Sequence, residues 1–138
     1  MRRSVSASAA ASKVKNMSKY VYIHTSGIES PKRAASPFFL ATTAALMEHE
    51  AVMVFTITGT SLLQKGAAED LYMKGEGNGS NLQFFIDQAR DAGVKFYVCA
   101  PSLDLNDLAQ EDLIEIDGII GGSALNDLCG QADVVLTF

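Results

Sequence analysis

The feature of this sequence that most constrains its fold is a regular alternation of short, β-rich apolar runs with segments of helical periodicity. The apolar runs are residues 20–23, 51–58, 94–99, 118–120 and 134–138. The segments with helical character are residues 31–49, 60–73, 80–93, 103–113 and 122–130. Alternation of this kind is typical of βαβ units, whose right-handed crossovers lay helices against a parallel sheet. We therefore predict an α/β fold with a five-stranded, mostly parallel sheet and helices on both faces.

One domain accounts for all of the regular part of the chain. A length of 138 residues gives room for one hydrophobic core but not for two. Residues 1–18 are rich in Ser and Ala, contain no acidic residue and lack the large apolar side chains of a core. We predict a disordered basic tail at 1–18 and an α/β domain at 19–138. A transit peptide, an expression remnant and a true start at Met17 all fit the tail.

The charge of the chain is unevenly distributed. Residues 1–19 hold five basic residues, whereas residues 20–138 hold six basic and 16 acidic residues. Nucleic-acid binding requires clustered Lys and Arg, so this acidic body predicts no nucleic-acid partner. A basic patch on a partner protein would complement it better. No apolar run approaches the roughly 20 residues of a membrane-spanning helix, so we predict no membrane span.

The two cysteines, Cys99 and Cys129, are too few and too far apart for a disulfide framework, a CxxC redox pair or a zinc knuckle. We predict free thiols in a reducing compartment, the cytoplasm. The acidic residues between positions 104 and 117 lack the spacing of a metal-binding loop, and residues 75–79 lack the GK[ST] ending of a phosphate loop. We therefore predict no metal site and no organic cofactor.

The candidate functional residues lie where the predicted strands end, because ligands of open parallel sheets bind beyond the carboxyl ends of the strands. If the third strand lies beside the first, as in a flavodoxin-like sheet, the loops after these two strands are neighbours. An imidazole and a thiol then share one region, and the imidazole either polarises the thiol or acts as a structural hydrogen-bonding group. The residues of this predicted site are His24, Thr25, Ser26, Gly27, Cys99 and Ser102.

Two interpretations of Cys99 are open. A thiol at a strand end, beside a helix N-terminus or a cation, is partly ionised and acts as a nucleophile or sulfur carrier. A free cysteine is also commonly a small buried core residue. For Cys129, which lies among Leu125 and Leu128 in a predicted helix, the core interpretation is favoured.

Three stretches of the sequence are similar to the DsrE/DsrF-like sulfur-relay family. They are Tyr-Ile-His-Thr-Ser-Gly at 22–27, Lys-Phe-Tyr-Val-Cys-Ala-Pro-Ser at 95–102, and the C-terminal stretch from Gly121 to Phe138. The resemblance implies a flavodoxin-like domain that assembles as a homotrimer or hexamer. It also implies that Cys99 accepts sulfane sulfur as a persulfide and passes it to a small sulfur-carrier protein. Where the tRNA-thiolation branch has Arg-Gly, this chain has Leu105-Asn106, which favours a sulfur-oxidation or uncharacterised branch.

The resulting hypothesis is a sulfurtransferase-like carrier that needs no cofactor, in which Thr25 and Ser26 shape the pocket. Ser102 and the backbone N–H groups after Cys99 are expected to stabilise the sulfur anion. The alternative is a non-catalytic small-molecule or protein-binding module in which Cys99 is only packed. A thiol peroxidase is a third hypothesis, but it requires a second, resolving cysteine, and Cys129 is expected to be too buried for that role.

Overall fold

The computed structural model describes residues 17–75 and 77–138. It contains one five-stranded sheet in which every neighbouring pair of strands is parallel. The strands are β1 (Lys19–His24), β2 (Glu50–Phe55), β3 (Lys95–Cys99), β4 (Gly118–Ile120) and β5 (Val134–Thr137). The helices are α1 (Ala35–Leu46), α2 (Leu82–Asp91), α3 (Ala100–Leu105) and α4 (Gly122–Gln131). The predicted five-stranded parallel α/β fold is confirmed.

The connections also contain four short 3-10 segments, Pro31–Arg33, Ile57–Leu63, Ala68–Asp70 and Gln110–Asp112. Residues 1–16 of the predicted basic tail lie outside the described residues. Ser18 already belongs to the folded part, because its carbonyl accepts a hydrogen bond from the backbone N–H of Glu50 at 2.9 Å. Among the helices of residues 17–75 and 77–138, none has the length and apolar character needed to cross a bilayer.

The strand order is β4-β3-β2-β1-β5, so β2 separates β1 from β3. The flavodoxin-like order, with the third strand beside the first, is therefore wrong for this chain. The first three connections each move one position in the same direction across the sheet, and only the connection through α4 returns to the far side of β1. Since such crossovers are right-handed, this reversal of direction puts α4 on the opposite face from α1 and α2.

Each face of the sheet has its own apolar cluster, because successive side chains of a strand point to opposite faces. On the first face, α1 and α2 cover Tyr22, Met53, Phe55, Phe96 and Val98. On the second face, α4 covers a smaller cluster around Val21, Val52 and Val54. The prediction of helices on both faces is confirmed, with most of the core lying under α1 and α2.

Candidate functional site

Cys99 occupies the carboxyl end of β3, where the strand passes directly into α3. It is the N-cap residue of that helix, with extended backbone angles (φ −73°, ψ 125°), and Pro101 lies in the first turn. A proline there ends the strand and starts the helix, since its ring fixes a helical φ and removes a donor that the first turn does not use. The Cys99 side chain makes no capping hydrogen bond and is half-buried. The thiol is thus partly accessible at the carboxyl edge of the sheet.

Ser102 supports the backbone of Cys99. Its hydroxyl donates to the Cys99 carbonyl at 2.6 Å and lies 2.6 Å from the hydroxyl of Thr60, and the side chain is almost completely buried. A serine hydroxyl has a single proton, so the hydroxyl of Thr60 must be the donor in the second contact. The Ser102 proton is therefore already engaged. Ser102 positions the strand end and is not placed to donate to a sulfur anion, contrary to our expectation.

His24 is fully buried at the end of β1, on the first face of the sheet. Its ring lies between Phe38 and Phe55, at centroid distances of 5.8 and 5.7 Å. Neither ring nitrogen has a hydrogen-bond partner among the described residues. Burial lowers the pKa of His24 from 6.5 to about 4, against an opposing effect of the Glu29 carboxylate, because the apolar surroundings disfavour the imidazolium.

His24 and Cys99 are not neighbours. Strand β2 lies between their strands. Their side chains also face opposite ways: His24 packs with Phe55 on the first face, whereas Cys99 follows Val98, which already points to that face. The expectation that the imidazole and the thiol share one region is therefore wrong, and His24 is a buried residue of the aromatic core.

The loop after β1 is closely packed. The backbone N–H and the hydroxyl of Thr25 both donate to the carbonyl of Phe138, at 2.7 and 2.5 Å. The Glu29 carboxylate accepts from the Gly27 N–H and from the hydroxyl of Thr58 at 3.0 Å, and these bonds lower its pKa. Ser26 lies half-buried within this loop. The hydrogen bonds fix Thr25 and Gly27 as structural parts of the sheet edge.

A Cβ atom at Gly27 would lie 2.0 Å from the Thr58 carbonyl oxygen, and one at Gly59 would lie 2.1 Å from the His24 carbonyl oxygen. Only glycine allows the two loops to approach this closely. The loops that follow β1 and β2 are therefore locked together, backbone against backbone.

Cys129 cannot serve as a resolving partner for Cys99. The Cα of Cys99 pairs in register with Ile120, next to the first turn of α4. Cys129 lies seven residues beyond Gly122, which places it about 10 Å further along the helix at 1.5 Å per residue. A disulfide needs Cα atoms within about 7 Å. Cys129 packs on the apolar cluster beneath α4 but is half-buried, as Cys99 is, so the expectation that it is too buried is wrong. Its distance along α4, rather than its burial, removes the resolving partner that the peroxidase hypothesis needs.

Comparison with protein families identifies this architecture. The model of the DsrE/DsrF-like family matches residues 18–138. The chain belongs to the DsrE/DsrF-like family. The predicted resemblance is thus confirmed over the whole folded domain, and the match includes Cys99 and the loop after β1.

Two solved structures resemble this DsrE/DsrF-like protein. The crystal structure of the YchN protein from E. coli has a TM-score of 0.67 and 20% sequence identity, and the match covers 88% of this chain and 100% of that one. The MTH1491 protein of unknown function from Methanobacterium thermoautotrophicum has a TM-score of 0.56 and 14% identity, with 87% and 97% covered. A search of curated proteins finds no significant match. At these identities the two structures support the fold alone.

Sequence reasoning missed two residues that support the thiol of this DsrE/DsrF-like protein. Thr60 donates to Ser102, and the Asn106 amide donates to the Ile57 carbonyl at 2.7 Å. These two contacts join the α3 region to the 3-10 segment Ile57–Leu63. They depend on β2 and β3 being neighbours in the sheet, and no local sequence pattern predicts that pairing.

Proposed function

We propose that this protein is a sulfur carrier of the sulfurtransferase type. Cys99 accepts sulfane sulfur as a persulfide and passes it to the thiol of a small sulfur-carrier protein. The observation that supports this most directly is the position of Cys99: a half-buried thiol at the carboxyl end of β3 that makes no capping hydrogen bond. In open parallel sheets, ligands bind beyond the carboxyl ends of the strands.

The proposed chemistry needs only thiols. The Cys99 thiolate attacks the outer sulfur of a donor persulfide, and a new S–S bond forms as the donor's S–S bond breaks. The donor leaves as a thiolate. In the second step an acceptor thiolate attacks the outer sulfur on Cys99, whose own thiolate is then the leaving group. One persulfide is consumed and one is formed at each step, so no external oxidant or reductant is required.

The surroundings of Cys99 suit such a cycle. Ser102 and Thr60 fix the backbone at the strand end, so the sulfur atom has a defined position for both partners. The second cysteine is too distant to capture the persulfide as an internal disulfide. Both cysteines are free thiols, which is consistent with the reducing cytoplasm that we propose as the location.

Sulfur loading tests this proposal. After incubation with inorganic polysulfide and desalting, the intact mass of the protein is expected to rise by about 32 Da per sulfur atom carried. Peptide mapping should place the added sulfur on Cys99. Cys99→Ser should abolish the adduct without changing the melting temperature by more than a few degrees, since the side chain makes no capping bond.

Cys129→Ser is the matched control for that experiment, because it removes the other thiol of the chain. It should load sulfur as the wild type does. An adduct that survives Cys99→Ser, or a wild-type protein that loads no sulfur, would favour the alternative of a non-catalytic binding module.

We also propose that the protein assembles as a homotrimer or hexamer through the outer face of α1. This 12-residue helix contains no charged residue. Phe39, Leu46 and Met47 are 58, 72 and 59% exposed, at or beside its outer surface. Shallow cavities of about 330 and 200 Å³ lie on its two sides. Exposed large apolar side chains on an uncharged helix mark an interaction site. The exposed Leu136 of the edge strand β5 lines the second cavity.

Light scattering at micromolar concentration should give three or six times the mass of one chain. Leu46→Lys places a charge within the proposed interface and should shift the protein to monomers, because burying an unpaired charge is costly. Leu105→Lys alters a comparably exposed leucine on α3, at 62% exposure, and should leave the assembly intact. A wild-type monomer, or equal effects of the two variants, would contradict the assignment.

A further inference from the structure

The six Lys and Arg residues of the acidic body are not spread evenly. Residues 20–138 hold 16 acidic residues, yet Lys32, Arg33 and Lys74 all line one cavity of about 390 Å³. We call this cavity the Lys74 pocket; its other lining residues are Ser30, Pro31, Met73 and Gly75. Half of the cationic residues of the body thus line a single cavity.

Among the residues that the structure describes, no carboxylate pairs with the three cations of the Lys74 pocket. Within residues 17–75 and 77–138, none of them lies within 4.0 Å of an acidic side chain. The acid nearest in sequence to Lys32 and Arg33 is Glu29, whose carboxylate is held by Gly27 and Thr58. Lys95, by contrast, pairs with Asp117 at 3.9 Å. In so acidic a protein, three unpaired neighbouring cations create a local positive potential that attracts an anion.

Most of the surface that lines the Lys74 pocket is apolar. Pro31 and Met73 both line it, and Met73 is partly buried against the main core. A pocket for a simple inorganic anion needs no apolar lining, whereas small-molecule sites combine apolar walls with a few charged groups. The volume of about 390 Å³ lies within the range of such sites.

The pocket also lies at the functional edge of the sheet. The segment Pro31–Arg33 follows the loop at the carboxyl end of β1, and Met73–Gly75 lie in the connection that leads to the start of α2. Helix α1 begins two residues after Arg33 and has no acidic residue in its first turn. The positive end of its dipole therefore adds to the potential of the three cations.

We propose that the Lys74 pocket binds a small organic phosphate, that is, a phosphate monoester with an apolar ring or chain. Arg33 and the two lysines bind the doubly charged phosphate through charge-assisted hydrogen bonds. The apolar part rests on Pro31 and Met73. This binding site is separate from the sulfur chemistry of Cys99 and is measured without it.

Phenyl phosphate is a suitable probe, with inorganic phosphate and phenol as matched controls that each lack one half of the molecule. In a titration of the ¹⁵N-labelled full chain, phenyl phosphate should shift the amide signals of residues 32–33 and 73–75. Inorganic phosphate should bind about tenfold more weakly, because it buries no ring. Phenol should produce no shifts at these positions.

Arg33→Gln should weaken phenyl phosphate binding by about tenfold, since it removes a charged hydrogen-bond donor. Lys65→Gln changes an equally exposed cation that does not line the pocket and should leave the affinity unchanged. Equal affinity for phenyl and inorganic phosphate, or equal losses in the two variants, would overturn the proposal. So would tighter binding of phosphatidylglycerol vesicles or of a Glu/Leu peptide, which would make the pocket a docking surface for a macromolecule.

Discussion

Gly27→Ala is expected to destabilise the folded protein by about 3 kcal/mol or more, an unusually large effect for the addition of one methyl group. The new Cβ would lie 2.0 Å from the Thr58 carbonyl oxygen and 2.3 Å from the Ser61 hydroxyl. The first of these atoms belongs to the backbone and cannot rotate away. The two loops must therefore separate, which breaks the bond from the Ile28 N–H to the Ser61 hydroxyl. It also disturbs the Thr58 hydroxyl, whose single proton is shared between the Thr25 carbonyl and the Glu29 carboxylate.

Urea denaturation of Gly27→Ala and Gly130→Ala measures this effect. Gly130 lies in α4, and a Cβ there meets no atom within 4 Å. Since alanine is the better helix former, Gly130→Ala should stabilise the protein by about 0.5–1 kcal/mol. If Gly27→Ala unfolds at the same urea concentration as the wild type, the two loops are not locked together as described.

The second large effect is a loss of stability in mild acid that originates in His24. The pKa of its imidazole is lowered from 6.5 to about 4 in the folded protein. Between these pH values the unfolded chain takes up a proton that the folded chain does not, so stability falls as the pH falls. At 1.36 kcal/mol per pKa unit, the free energy of unfolding should decrease by about 3 kcal/mol between pH 6.5 and 4.

His24→Leu isolates this contribution. It should flatten the pH dependence in that range, leaving the part that carboxylates contribute. At pH 7 the variant should be at least as stable as the wild type, because it removes two buried nitrogens without partners. His49→Gln is the matched control, since it removes the other histidine of the chain. This variant should lose as much stability between pH 6.5 and 4 as the wild type does. An unchanged pH profile in His24→Leu would show that the imidazole is not the titrating group.

The elements of the fold could be predicted because each carries a local pattern. The runs at 20–23 and 94–99 are apolar and β-rich, and the structure places β1 and β3 there. Boundaries shifted by one or two residues: the predicted helical segment begins at residue 80, whereas α2 begins at Leu82, after Asn81, whose side chain accepts the bond from the Phe84 N–H. The exact end of a helix depends on backbone geometry as well as on residue type.

The strand order could not be predicted in the same way, because it depends on contacts between distant parts of the chain. One local signal was available: Ala51–Phe55 is continuously apolar, and all five residues are buried, as in a central strand. The wrong strand order also made part of the predicted site wrong. Once β2 lies between β1 and β3, His24 and Cys99 cannot meet, whereas the position of Cys99 at a strand end depends only on its own strand and is unaffected.

Transfer of sulfur from loaded Cys99 is the most direct test of the carrier function. The protein is loaded with polysulfide, separated from excess donor and mixed with reduced glutathione as a substitute acceptor. All products are then alkylated and identified by mass spectrometry. Attack on the outer sulfur yields glutathione persulfide and restores the Cys99 thiol, which is the result we predict because the inner sulfur is half-buried. Release of sulfide with a mixed disulfide of glutathione on Cys99, or an adduct that does not react, would contradict the proposed function.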